Sequence, residues 1–184
     1  MPLTHISFRD THYFSSLICD YLDESKLVKP LFSRFPNLDN FKSQIHEKNT
    51  NFNTLHRPVL VKALRKQYES TNSSGLTIGN INALLDDNTF TITTGHQLNL
   101  FTGPLYFLYK IISVINLTEE LKEKYPTYNF VPIYWMATED HDFDEINYFN
   151  YQGTKLQWSR KSSGAVGHIN TKGLETVLTI FKNV

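Results

Sequence analysis

A chain of 184 residues with 40% hydrophobic and 14% aromatic content has enough apolar matter for one average domain, which excludes wholesale disorder. Eighteen Lys plus Arg balance eighteen Asp plus Glu, so the basic excess that drives binding to a nucleic-acid backbone or an anionic membrane is missing. Eight Gly and seven Pro exclude a collagen-like or linker-dominated chain, and the single cysteine, Cys19, excludes an intrachain disulfide and points to a reducing, cytoplasmic compartment.

The first twenty residues carry charges and histidines throughout and lack the apolar core of a secretory signal. No apolar run reaches the ~20 residues of a membrane helix, so a soluble protein without membrane or nucleic-acid partners is expected. From Phe14 to about Glu69 the apolar spacing is helical: Tyr13, Leu17, Tyr21 and Leu22 recur on one face, and Val59, Leu60, Leu64 and Tyr68 on another, with Pro30 and Pro36 as breaks. Two or three amphipathic helices are predicted, with Lys62, Arg65 and Lys66 on a solvated face. A polar loop and a short helix carrying Ile78, Ile81, Leu84 and Leu85 fill 70–88.

At Thr89 the period changes. Thr89 to Thr94 is β-branched and aromatic, and it stops at Gly95, as a short strand does. Pro104 then opens a helix of about five to six turns, with Leu105, Leu108, Ile111, Ile112, Ile115 and Leu121 on one face and Pro126 beyond its end. Phe130 to Ala137 is apolar on both faces, as in a doubly covered parallel strand. Strand, helix and strand make a βαβ unit, which places the loops after Thr94 and Thr138 at one carboxyl edge, where open α/β folds bind ligands. A hairpin around Gln152-Gly153-Thr154 follows, then a helix from Gly173 that carries Leu174, Val177, Leu178 and Phe181. That helix runs to Val184 without a capping signal, as in a fragment, and its apolar face is expected to lie exposed. The predicted division is a helical segment over 1–88 that packs on the core and the first part of an α/β core over 89–184, incomplete at its C-terminus.

Two loops carry the chemistry. Thr94 to Pro104, TGHQLNLFTGP, offers backbone N–H groups before a helix start, with His96, Gln97 and Asn99 as side-chain donors. A plain glycine turn capped by Asn99 is the bland alternative. Neither G-x-G-x-x-G nor a Walker lysine pattern is present. The second loop, TEDHDFDE, crowds Glu139, Asp140, Asp142, Asp144 and Glu145 around His141, and such a run favours either open solvent or a cationic partner such as an amine. His96, Glu139 and His141 could also ligate a metal, though their spacing matches no motif of known geometry, and no metal is assigned.

TGHQLNLFTGPLYFLYKIIS followed by VPIYWMATEDHDFDEIN closely resembles the paired signature of the cysteine ligases of bacillithiol biosynthesis, the cysteine-adding enzyme family. The resemblance extends upstream through RPVLVKALRKQY and downstream through GAVGHI, so it covers most of the chain. The family's usual Gly-Gln-Gln is Gly95-His96-Gln97 here, which puts an imidazole donor where an amide is customary. The resemblance implies a Rossmann-like parallel core related to nucleotidyltransferases and class I synthetases. It also implies a long C-terminal coiled coil that is absent from this chain and would mediate homodimer contact in the full-length protein. The implied activity is amide formation between L-cysteine and glucosaminyl-malate, with ATP or another adenine nucleotide as the candidate activating cofactor. In that reading Gly95, His96, Gln97, Asn99, Gly103, Tyr106 and Lys110 bind substrate or an anion. Glu139, Asp140, His141 and Asp142 hold an amine or accept its proton. His96 or Gln97 is then expected close to Glu139 or His141 across a shared crevice. A nucleotidyl-transferring enzyme acting on another small carboxylate, a metal-dependent hydrolase using His96, Glu139 and His141, and an inert truncated product are the alternatives.

Overall fold

The computed structural model describes residues 4–183, the side chain of Thr102 excepted. The chain divides into two compact units, Met1–Asn53 and Thr54–Val184.

In the first unit, helix α1 (Ser16–Leu22) starts at Ser15, whose hydroxyl accepts from the Ile18 amide, one of the orphan donors of a helix start. Arg9 bridges Asp20 and Asp23 at 3.0 and 2.7 Å. Helix α2 (Asn40–Asn51) buries Ile45, and its Glu47 and Gln44 both take the Arg34 guanidinium. Tyr21 packs its ring against Phe32 and Phe35.

The second unit holds the βαβ core. Helix α3 (His56–Tyr68) and helix α4 (Gly75–Ala83) precede strand β1 (Thr89–Gly95); helix α5 (Leu105–Lys124) then leads to strand β2 (Asn129–Trp135). β1 and β2 pair in parallel, Thr89 opposite Asn129 through Gly95 opposite Trp135. Phe130 and Val131 are neighbours in sequence and point to opposite faces, yet both are buried, so this end of the sheet is covered on both sides. Val131 and Ile133 meet Val61, Ile81 and Leu84, which seats α3 and α4 on the sheet and places them in the same compact unit as β1.

Helix α5 packs on both strands. Its covered stripe is Phe107, Ile111, Val114, Thr118 and Leu121, a spacing of four and three, with Leu121 fully buried. Leu105, Leu108, Ile112 and Ile115, which the periodicity also places toward the core, remain exposed. The apolar surface of α5 is wider than two strands can cover.

A short helix α6 (Phe143–Ile146) leads into the antiparallel hairpin of β3 (Tyr148–Tyr151) and β4 (Thr154–Gln157). Its two-residue turn is Gln152-Gly153, with φ of 46° and 78°, the doubly left-handed backbone that matches strand twist. Helix α7 (Leu174–Lys182) follows. Its expected exposure is corrected by its packing. Val177 is buried with Phe143, Ile146, Leu156, Trp158 and Val166, and Leu174 and Phe181 lie against the same cluster, while Leu178 stays exposed. The hairpin supplies the partner that periodicity alone could not show. The helix ends at Lys182 with Asn183 as its cap; Val184 lies outside the described residues.

Candidate functional site

β1 ends at Gly95 in close contact with Trp135: a Cβ there would stand 3.1 Å from the Trp135 carbonyl oxygen and 3.2 Å from the Trp135 Cβ, so a side chain would push the neighbouring strand by a few tenths of an ångström. His96 extends the ladder by one bond, its amide donating to Trp135 O at 3.1 Å, and the Tyr134 hydroxyl donates to His96 O at 3.0 Å. Burial pushes the Tyr134 phenol above its ordinary value. Beyond this point the loop alternates. Leu98 and Leu100 pack into the α6–hairpin–α7 cluster, whereas His96, Gln97 and Asn99 line an open cleft.

The loop is internally braced. The Asn99 side-chain amide lies 3.0 Å from both Gln97 O and His96 Nδ1, and His96 Nε2 lies 2.7 Å from the Tyr106 hydroxyl. Lys110 donates to Gly95 O at 2.9 Å. Thus Tyr106 and Lys110, one turn apart on α5, hold the loop from the helix side. Phe101 adopts a left-handed backbone, φ 48° and ψ 51°, and its ring sits 4.6 Å from Phe149 and 5.1 Å from Phe181. Gly103, at φ 61° and ψ −152°, turns the chain into α5 in a region that only glycine enters readily.

The acidic loop leaves β2 at the neighbouring strand end. Trp135 Nε1 donates to Glu139 at 3.2 Å, and the Asp142 amide donates to the Asp140 carboxylate at 3.0 Å. The turn at Val166–His168 is fastened to the loop by Val166 N to Asp140 O and Gly167 N to Thr138 O, at 2.7 and 2.9 Å. Phe143 and Ile146, three residues apart, are both buried, so the helical turn between them sends Asp144 and Glu145 outward in different directions. His141, Asp142 and Asp144 line a shallow cleft of about 450 Å³ with Arg160, Lys161 and Ser162. Glu145 lines the larger cleft of about 880 Å³, and Gln97 Nε2 donates to its carboxylate at 2.7 Å.

The larger cleft therefore unites His96, Gln97, Asn99, Gly103 and Tyr106 with Glu145, under a wall of Phe101, Tyr148, Phe149, Tyr151 and Phe181. The two loops emerge from the same sheet edge, as parallel pairing dictates, and the contact between them is Gln97 to Glu145. Glu139 rests on Trp135, and His141 and Asp142 face the smaller cleft. Among the described residues no lysine or arginine lines the larger cleft; Lys110 is engaged with Gly95. Among the described residues, no three His, Cys, Asp or Glu side chains converge as a metal-ligand set, so His96, Glu139 and His141 are not assembled as one. Glu145 belongs to the acidic run but not to the candidates drawn from it, and the aromatic wall escapes a reading by motif. The signal that points to Glu145 is the Phe143/Ile146 pair, which must share one buried face.

Among the described residues, no helix is long and apolar enough to cross a membrane. The model of the family described as bacillithiol biosynthesis BshC, N-terminal Rossmann-like domain, matches residues 1–184. The chain is 59% identical over 181 residues to a Flavobacterium johnsoniae protein and 60% over 183 residues to one from Flavobacterium psychrophilum, covering 98% and 99% of this chain. A Bacillus mycoides relative is 37% identical over 132 residues, 72% of this chain and 24% of its own length. All three bear the name "Putative cysteine ligase BshC". The chain spans 34% of the length of the two Flavobacterium relatives. Its parallel βαβ core and its match to the family model over the full sequence show that the chain belongs to the BshC family of bacillithiol biosynthesis and corresponds to its N-terminal Rossmann-like domain.

Proposed function

We propose that the chain forms part of the active site of a ligase that joins the carboxyl group of L-cysteine to the amine of glucosaminyl-malate, the last step of bacillithiol biosynthesis. The observation that carries this reading is the meeting of the two signature loops through Gln97 and Glu145 in one cleft at the carboxyl edge of β1 and β2. Amide formation replaces the leaving group of an activated cysteine carboxyl with a neutral amine: the C–N bond forms as the bond from the carbonyl carbon to the leaving group breaks, so the site must stabilise negative charge on an oxygen and remove a proton from nitrogen. His96, Gln97 and Asn99 are the donors for the oxygen. Tyr106 orients the His96 ring, Lys110 and Gly95 fix the start of the loop, and Gly103 fixes its end. The acidic segment, with Glu139, Asp140, His141 and Asp142 as candidates, serves the amine and its proton.

An adenine nucleotide, the activating co-substrate that the fold implies, does not fit the larger cleft. Among the described residues no lysine or arginine lines that cleft, so the nucleotide's phosphates would find no cationic side chain there. The chain's residues therefore serve the carboxyl and amine partners here. In the whole protein, a homodimer formed through a coiled coil beyond this segment belongs to the same proposal.

The test is cysteine addition to glucosaminyl-malate by a protein of the relatives' length that carries this sequence. Asp142→Asn, Glu139→Gln and His141→Ala remove charge or a base with little change of shape. Loss of a proton acceptor should lower the rate about 100-fold or more, with melting temperatures unchanged. Rates equal to the parent in all three would remove the acidic segment from the chemistry.

A further inference from the structure

Among the described residues Glu145 is the one acidic side chain on the larger cleft, and its surroundings are unusual for a surface carboxylate. Gln97 holds it with a neutral amide, and among the described residues no lysine, arginine or histidine pairs with it. The wall beside it is aromatic: Tyr148, Phe149 and Tyr151 from the hairpin, Phe101 from the first loop, Phe181 from α7. Phe101 reaches that wall through a left-handed backbone that costs a non-glycine residue about 1 kcal/mol or more. The outlier makes the wall continuous from loop to hairpin, and part of the Phe101 and Tyr151 surface stays open.

A carboxylate without a basic partner, in a cleft with an aromatic wall, attracts an organic cation by charge and by cation–π attraction. Two kinds of ammonium could enter. An α-amino acid carries its own carboxylate two bonds from the nitrogen, so an ammonium seated on Glu145 would bring that second anion against the first. An amino sugar carries its ammonium on a saturated ring, the malate carboxylates of glucosaminyl-malate stand five bonds or more from that nitrogen and can turn away from Glu145, and the ring's C–H face can lie on the aromatic wall.

Resting on the ligase reading above, we infer that Glu145 and the aromatic wall form the subsite for the amino sugar: its ammonium on Glu145, its ring against Phe101 and Tyr151. Any acidic substituent of the sugar is then driven away from Glu145 toward His96 and Asn99. Glu145 holds the ammonium before the reaction, and acceptance of the proton lost as the amine attacks stays with the acidic-segment candidates of the ligase reading.

The probes are methyl glucosaminide, methyl N-acetylglucosaminide, methyl glucoside and L-cysteine, each followed by saturation-transfer NMR and titration on the 184-residue chain. Methyl glucosaminide should bind at least about tenfold more tightly than the other two sugars, the worth of one charge-assisted hydrogen bond, and L-cysteine should not displace it. Glu145→Gln should erase the preference, and Glu145→Asp should keep part of it. Both side chains are exposed substitutions, and a circular dichroism spectrum matching the parent confirms the fold. Equal binding of the amine and its N-acetyl form, an undiminished preference in Glu145→Gln, displacement by L-cysteine, or no sugar binding would each overturn the subsite. The two readings fail separately. Amine preference without amide formation by the longer protein retains the subsite and removes the ligase, whereas parental turnover by Glu145→Gln retains the ligase and removes the subsite.

Discussion

Gly103 and Tyr134 act on the first loop from its two ends. A Cβ at Gly103 would lie 2.7 Å from Asn99 Cβ and Cγ, in a backbone region closed to other residues. Gly103→Ala should therefore cost about 2 kcal/mol and displace Asn99 from His96, measurable as a lowered denaturation midpoint with altered His96 ring signals. Tyr134→Phe removes the hydroxyl that donates to His96 O while keeping the ring against Phe107, an expected loss of about 1 kcal/mol. The phenol also imposes a pH dependence. Its folded value is raised, so its contribution is fully present below about pH 10 and is lost as pH rises through the higher folded value. Melts at rising alkaline pH should show the parent approaching Tyr134→Phe in stability; parallel curves would remove Tyr134 as the cause. Sequence spacing reveals His96, Gln97 and Asn99 as a group of donors. The Tyr106–His96 contact and the strained Phe101 depend on backbone angles that no residue pattern encodes.

Among the elements, Arg57 fastens α3 to the entry of β1. Its guanidinium is buried and donates to the carbonyls of Leu84, Asp87 and Thr89, with Asp87 also in ion-pair range. Arg57→Met keeps the apolar stem and leaves these carbonyls without their donor, an expected cost of about 3 kcal/mol. Urea unfolding measures it, and a midpoint within error of the parent would show that water replaces the guanidinium. Residue pattern reveals β1, α5, β2, the hairpin and α7, because each has a period or a turn pair that only one backbone satisfies. It does not reveal Arg57, whose charge suggests a surface place like that of Lys62 and Lys66. Nor does it separate the covered stripe of α5, Phe107 to Leu121, from the adjacent Leu108, Ile112 and Ile115, since both repeat at helical spacing. What distinguishes them is which neighbours are present, a tertiary property.

At the scale of the molecule, the exposed residues of α5 form a contiguous apolar stripe: Leu105, Leu108, Tyr109, Ile112 and Ile115. Surfaces of this kind on a monomer capture amphiphilic dyes and promote self-association. The 184-residue chain should enhance 8-anilinonaphthalene-1-sulfonate fluorescence, and the paired change Ile112→Lys, Ile115→Lys should abolish most of that signal without lowering the melting temperature. Unchanged fluorescence would place the dye elsewhere.

The parallel register also has a consequence in time. Each β1 residue pairs with one forty positions later, from Thr89 with Asn129 to Gly95 with Trp135. At the usual pace of translation, forty residues take about 2–8 seconds to synthesise. Throughout that interval β1 has no strand to join, and the loop from His96 to Gly103 has left the ribosome before the residues that brace it. Glu145 arrives later still. The nascent chain thus carries an unpaired, β-branched segment for seconds, the period in which a chaperone or a slowed run of codons would have its largest effect on yield.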